Sequence, residues 1–234
     1  MDNILIYQMG KVGSQSIKHS LEEKKINPYH LHWLGEREPI AEFYTRNIDI
    51  LKNLKDKNKK FKVIVLVREP MARNLSAFFQ KIRRWTSKKP EKMDSYEIFK
   101  DFIENYDIAY PDKWFKQELE KFFNINVYKE PFDHSKGYKI YSINGHDILI
   151  IRLENAKDKL EEAMREFIKI SGINMSCCGV YENRKVGNDF IQKYKDIKSM
   201  NFPLDFINKN YNLKYSKHFY TKNEIESYKK GWIN

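Results

Sequence analysis

Cysteine is nearly missing from this chain. The only two, Cys177 and Cys178, are adjacent. That spacing gives neither a disulfide framework nor the paired pattern of a zinc site, and a reducing, cytoplasmic setting is expected. Glycine and proline are sparse as well, nine and seven among 234 residues, which excludes collagen-like and low-complexity architectures. No apolar run approaches the roughly 20 residues needed to cross a bilayer, so no membrane span is expected. The first apolar run, Ile4 to Tyr7, stops at Gln8-Met9-Gly10-Lys11, too soon for the core of a secretion signal. Negative charge is in the minority, 32 Asp and Glu against 43 Lys and Arg, for a net +11. The excess suits an anionic partner, whether nucleic acid, a membrane surface, an anionic polysaccharide or a polyphosphorylated cofactor. A generally basic surface has the same composition, and charge alone does not choose.

What is present is a core. Hydrophobic residues make up 41% of the chain and aromatic ones 15%, too much for a disordered chain and enough for a single domain over residues 1–234. The apolar run after Asn3 reads as a buried strand ending near Gln8. A small-residue turn, Met9-Gly10-Lys11-Val12-Gly13, leads into a helix from Ser14 to about Lys25, with Ile17 and Leu21 on one face. A second strand is expected over Tyr29–Leu34, a helix over 39–54, and a third strand over Lys62–Val67, apolar on both faces as a parallel sheet requires. Pro70 suits the first turn of the next helix. Asn144-Gly145 between two apolar runs signals a hairpin. Ala156–Ile170 is an amphipathic helix, and the chain from Tyr181 on is polar, aromatic and mostly helical. Alternating strands and helices give an α/β class, a parallel sheet flanked by helices with a helix-rich C-terminal part.

Three clusters carry chemistry. The first is Gly10-Lys11-Val12-Gly13-Ser14-Gln15-Ser16, between a strand and a helix. Glycine lets the backbone curl, and a helix start directs free N–H groups at an anion. Lys11 adds a point charge, and the Ser14 and Ser16 hydroxyls can donate. The cluster departs from the nucleotide-triphosphate loop, whose lysine follows the second glycine and stands beside Ser or Thr. An ordinary turn that holds a lysine would have the same letters. The second cluster places Arg68 at the carboxyl end of the third strand, where α/β sheets place their ligands. Ser76 lies eight positions on, so the two could share a phosphate; as a bland alternative, Arg68 and Glu69 form a solvated pair. The third is Asn183-Arg184-Lys185-Val186-Gly187 before a helix, suited to an anion or simply a basic loop. No spacing of His, Cys and carboxylates points to a metal.

Together the three clusters resemble the nucleotide-binding elements of sulfotransferases that use 3′-phosphoadenosine 5′-phosphosulfate (PAPS). In that superfamily a lysine-containing loop after the first strand holds the 5′-phosphosulfate. An Arg and a Ser eight residues later hold the 3′-phosphate, and a late Arg-Lys-Gly loop closes over it. Lys11, Gly13 and Ser14 match the first element, and Arg68 and Ser76 match the second at the same spacing. Arg184, Lys185 and Gly187 match the third less well, because Val186 intervenes. A narrower resemblance runs through Tyr7–Ile17, Tyr29–Leu34, Val65–Phe79, Asp112–Leu119, Ile150–Asn155 and Lys217–Ile225, which are similar to a sulfotransferase-like bacterial family linked to capsular polysaccharide synthesis. The resemblance implies a phosphate-loop-like sheet and PAPS as co-substrate. It further implies no metal and transfer of a sulfuryl group to a hydroxyl, of a capsular or other cell-surface saccharide. It says less about the acceptor than about the donor.

Such a transfer needs a cation at the departing phosphate oxygen and a base for the acceptor's proton. Lys11 is the candidate cation. For the base, His30 and His32 share a face of the second strand, and related enzymes take their base, His or Glu, from the region after it. His32 is the first candidate, with Glu36 and Glu38 behind it. His218, in Lys217-His218-Phe219, reads as structural. Two other readings stay open. One is a phosphotransferase with a degenerate phosphate loop. The other is a basic nucleic-acid- or glycan-binding module on an inactive nucleotide-binding fold, although no helix-turn-helix, zinc or single-strand-binding motif supports nucleic acid. Oligomeric state is not legible.

Overall fold

The computed structural model describes residues 3–35, 50, 52–53, 56, 59–143, 145–175 and 188–233. The helix expected over 39–54 falls almost wholly outside them. The chain forms two compact units, Met1–Val67 with Lys113–Cys178, and Arg68–Asp112 with Gly179–Asn234.

The first unit holds a five-stranded sheet in the order β2-β1-β3-β5-β4. Its strands are β1 (Asn3–Tyr7), β2 (Tyr29–Leu31), β3 (Phe61–Val67), β4 (Tyr138–Ile143) and β5 (His146–Arg152). β1, β2, β3 and β5 run parallel, and β4 closes one edge antiparallel to β5. The strands inside the sheet are the continuous apolar runs. Every residue of β3 except Lys62 is buried, the pattern of a strand covered on both faces. The helix Ser14–Glu23 buries Ile17 and Leu21. The helix Leu153–Ile168 packs on β5, β3 and β4. β2 stops at Leu31 rather than Leu34. Beyond it the Leu34 and Gly35 N–H groups bond to the Glu118 carboxylate instead of a neighbouring strand.

Because four strands are parallel, their carboxyl ends lie along one edge of the sheet. β1 there feeds the Gly10–Gly13 turn, β2 leads to His32, and β3 leads to Arg68. Open α/β sheets bind ligands at this edge.

At the other end of β5, the buried His146 accepts a hydrogen bond at Nδ1 from the Phe61 N–H, 3.2 Å away. Its ring packs against Phe61 and Phe123. Burial holds its pKa below the ordinary 6.5, partly countered by Asp147. The unfolded chain therefore binds more protons just below pH 6.5, and stability rises with pH in that window. His146 should contribute fully above about pH 6.5 and lose its contribution as acid carries the pH down toward its folded pKa. Melting temperatures at pH 7.5 and 5.5 should differ less in His146→Gln than in wild type; an equal difference would exclude His146 as the source.

The second unit is helical. In the helix Pro70–Gln80, proline occupies the first turn and the Glu69 carboxylate caps the start, accepting from Met71 N at 2.9 Å and Ala72 N at 2.7 Å. The same buried carboxylate accepts a hydrogen bond from Tyr211 Oη, which fixes the helix Leu204–Tyr211. Burial, then the Glu69 charge, push the Tyr211 phenol far above its usual range. An aromatic core forms around Phe102, with Phe78 at 5.1 Å and Phe206 at 5.3 Å between ring centroids. Phe202 continues it to Trp232 on the last helix, Lys222–Trp232.

Candidate active site

The turn after β1 is wound left-handed at three of four positions, with φ of 91° at Gly10, 65° at Lys11 and 81° at Gly13. Lysine in this region costs roughly 1–2 kcal/mol relative to glycine, a strain of the kind that gathers at functional sites. Val12, between Lys11 and Gly13, is not left-handed, and a turn whose residues alternate in hand forms a concavity of main-chain N–H groups that suits an anion. Gly13 is also the N-cap of the helix Ser14–Glu23, which has no side-chain cap; the Ser16 N–H turns back to the Gly13 carbonyl at 3.2 Å, and the dipole of such a helix start still favours an anion. The two glycines serve differently. Among the described residues a Cβ at Gly10 would have nothing within 4 Å, whereas one at Gly13 would come within 2.7 Å of Leu153 Cδ1 and 3.2 Å of Met175 Cε. Gly10 thus leaves open room at the turn, while Gly13 seats it against the core. Val12 is fully buried and Ser14 and Ser16 are buried; Lys11 is half-buried and Gln15 exposed.

Beside the turn, a residue absent from the sequence-level candidates organises the histidines. Gln8 is fully buried. Its Oε1 accepts from the Gly10 N–H at 2.5 Å, and its Nε2 lies 2.7 Å from His32 Nδ1 and 3.4 Å from His30 Nε2. Ser14 Oγ is 2.9 Å from His30 Nε2. β2 ends at Leu31 and so carries His30 but not His32; the two rings nonetheless lie side by side, with centroids 5.5 Å apart. Of the first cluster's hydroxyls, Ser14 is thereby turned toward β2.

A second group was also missed. Glu118 lies on a π-helical turn, Phe115–Glu120, a form enriched at functional sites, and is almost fully buried. Its Oε2 accepts from Tyr7 Oη at 2.5 Å, Leu34 N at 2.8 Å and Gly35 N at 3.4 Å. Trp114 Nε1, from the same segment, donates to His32 O at 2.7 Å. Main-chain groups on both sides of Trp33 are therefore fixed by residues about eighty positions away in sequence. The sequence signal was indirect: Glu118 lies in Asp112–Leu119, one of the segments that carry the family resemblance.

In the second unit, Arg68 is half-buried and Ser76 buried. Tyr215 grips the Arg68 main chain: its hydroxyl accepts from Arg68 N at 2.7 Å and donates to Arg68 O at 2.6 Å. Tyr215 is set in turn by Asp112, whose carboxylate accepts from Tyr215 N at 2.8 Å and Lys214 N at 3.1 Å, at the start of the helix Lys214–Phe219. His218 packs on Phe219 with ring centroids 4.7 Å apart. The segment Asp112–Leu119 thus supplies anchors to both units, Asp112 in one and Trp114 with Glu118 in the other.

Glu36, Glu38, Arg184, Lys185 and Gly187 lie outside the described residues. Among those described, no group of three or more His, Cys, Asp and Glu side chains could hold a metal ion, and no helix is long and apolar enough to cross a membrane.

In the first unit, then, a left-handed turn carrying a lysine stands beside a buried glutamine and a histidine pair. No curated protein and no solved structure matches the chain. The profile of the Sulfotransferase family matches residues 1–226, almost the whole length, and the chain belongs to the sulfotransferase family.

Proposed function

We propose that this sulfotransferase takes its sulfuryl group from PAPS and delivers it to a hydroxyl of a saccharide, in a reducing, cytoplasmic compartment, with residues 1–234 working as one sulfotransferase-like domain. The observation that carries the donor is the Gly10–Gly13 turn: three left-handed residues, room at Gly10, and a helix start with no side-chain cap. These features fit a phosphate group. The family resemblance assigns the 5′-phosphosulfate to Gly10, Lys11, Val12, Gly13, Ser14, Gln15 and Ser16, and the 3′-phosphate to Arg68 and Ser76. It assigns the late closing loop to Arg184, Lys185 and Gly187. The donor supplies an activated sulfuryl group. Lys11 places positive charge at the departing phosphate oxygen, and His32, or else Glu36 or Glu38, takes the proton of the acceptor hydroxyl. The net charge of +11 suits an anionic saccharide.

The donor is tested by ligand-dependent melting, because a ligand that binds only the folded chain raises its stability. 3′-Phosphoadenosine 5′-phosphate should stabilise the protein more than ATP with magnesium or an oligonucleotide. Arg68→Ala should weaken its binding by about 2–3 kcal/mol, roughly 30- to 150-fold, through loss of a charge-assisted contact. Equal affinity of the wild type for adenosine 5′-phosphate would remove Arg68 and Ser76 from the site.

Turnover should survive EDTA, since Lys11 supplies the positive charge at the leaving group. Activity lost to the chelator and restored by magnesium would favour a phosphotransferase.

A further inference from the structure

The orientation of the Gln8 amide is settled by its neighbours. The Gly10 N–H is a donor, so the Gln8 atom that meets it at 2.5 Å is the oxygen, and the atom facing both histidines is the NH2 nitrogen. An amide nitrogen only donates. His32 Nδ1, at 2.7 Å, must then accept, which places the proton of neutral His32 on Nε2. His30 Nε2 faces the same NH2 at 3.4 Å, and accepting from it places the His30 proton on Nδ1; the Ser14 hydroxyl, 2.9 Å from the same nitrogen, can rotate to suit.

His32 Nδ1 also lies 3.1 Å from the Gln8 main-chain carbonyl, an acceptor. One nitrogen cannot accept from the amide and donate to the carbonyl in the same tautomer. His32 therefore has two proton arrangements, each with a partner on Gln8. With Nδ1 accepting from the amide, Nε2 carries hydrogen and takes no further proton. With Nδ1–H donating to the carbonyl, Nε2 has a lone pair and can act as a base.

We propose that Gln8 is a positioning residue that selects the tautomer of His32 and ties that selection to the phosphate turn. The amide keeps its direction because Gly10 N–H holds its oxygen. An anion drawn to the turn competes for that N–H, loosens the amide, and lets His32 Nδ1–H pass to the Gln8 carbonyl, leaving Nε2 ready for a proton. The link to the turn rests on the donor reading above; the tautomer assignment in the free protein does not. Gln8 and Ser14, which meet the rings from β1 and the following helix, are uncharged. Lys11 is the charged residue of the turn, and Glu118 of the π-helical segment directs Oε2 at Tyr7, Leu34 and Gly35.

Nitrogen NMR of 15N-histidine-labelled protein reads the tautomers directly. In the free chain His32 should carry its proton on Nε2 and His30 on Nδ1. Saturating 3′-phosphoadenosine 5′-phosphate should move His32 toward the Nδ1–H form. In Gln8→Met, close in shape but without hydrogen bonds, both preferences should fade and the response to nucleotide should vanish. In Gln8→Glu, which offers a carboxylate to both rings, both should titrate at higher pH, with Tm confirming the fold. His32 found as Nδ1–H in the free chain, or unchanged in Gln8→Met, overturns the selection. Nucleotide that binds, by calorimetry, without moving His32 overturns the tie to the turn. Failure of nucleotide to bind at all defeats the donor reading and with it the tie, while the free-chain tautomers still decide the role of Gln8.

Discussion

Lys11→Ala should slow turnover by roughly a hundredfold to a thousandfold, the scale seen when a preorganised charge-stabilising group is removed. The effect should fall on kcat. Charge on the bridging oxygen grows as the sulfur–oxygen bond breaks, so the ammonium interacts more strongly in the transition state than in the ground state. Binding of 3′-phosphoadenosine 5′-phosphate should weaken less, because the N–H groups of the turn and helix start remain. Lys11 has a left-handed φ of 65°, and alanine bears the same strain there as lysine. Lys11→Arg separates charge from shape: partial recovery of kcat supports an electrostatic role. A variant that loses nucleotide binding in proportion to kcat would instead mark Lys11 as an ordinary binding contact.

His32→Ala should lower turnover by about 10²- to 10⁴-fold, the span typical of a general base, with nucleotide affinity nearly intact. Wild-type kcat should rise with pH through the range in which an imidazole loses its proton, and the variant should lose that rise. The Trp114 indole bonds to the His32 carbonyl, and the Leu34 and Gly35 N–H groups bond to Glu118. These are main-chain contacts that alanine retains, so loss of the ring need not displace the segment. An active His32→Ala with an unchanged profile, beside inactive Glu36→Gln or Glu38→Gln, would assign the base to the carboxylates. Loss of nucleotide binding in all three would mean that the segment shapes the fold.

The parts legible in the sequence were those whose cause is local. Continuous apolar runs gave β1, β3 and β5, Asn144-Gly145 gave the β4–β5 hairpin, and Pro70 gave a helix start where one is found. The turn after β1 was readable because left-handed backbone selects glycine, although Lys11 shares that conformation without any such mark. What stayed hidden acts across the chain. Glu118 meets Tyr7, 111 positions away, and Tyr215 meets Arg68, 147 away. No periodicity encodes a hydrogen bond of that span. Gln8 could have been noticed, since a polar residue that ends an apolar strand and is then buried needs partners. His30 on the next strand and His32 just past its end were the available ones. β2 was read too long for the same reason, because a carboxylate from a distant helix takes the N–H groups that a longer strand would have used.

The grip of Tyr215 on Arg68 separates two questions that substitutions at strand ends usually confuse. The hydroxyl holds the N–H and the carbonyl of residue 68 and makes no demand on what side chain it bears. Exchanging the guanidinium for another group therefore leaves the backbone anchored, and position 68 can be varied as a chemical series at a fixed address. Lysine, glutamine and alanine there would grade charge and donor number against one backbone path. Tyr215→Phe is the complementary change, releasing the backbone while keeping the arginine.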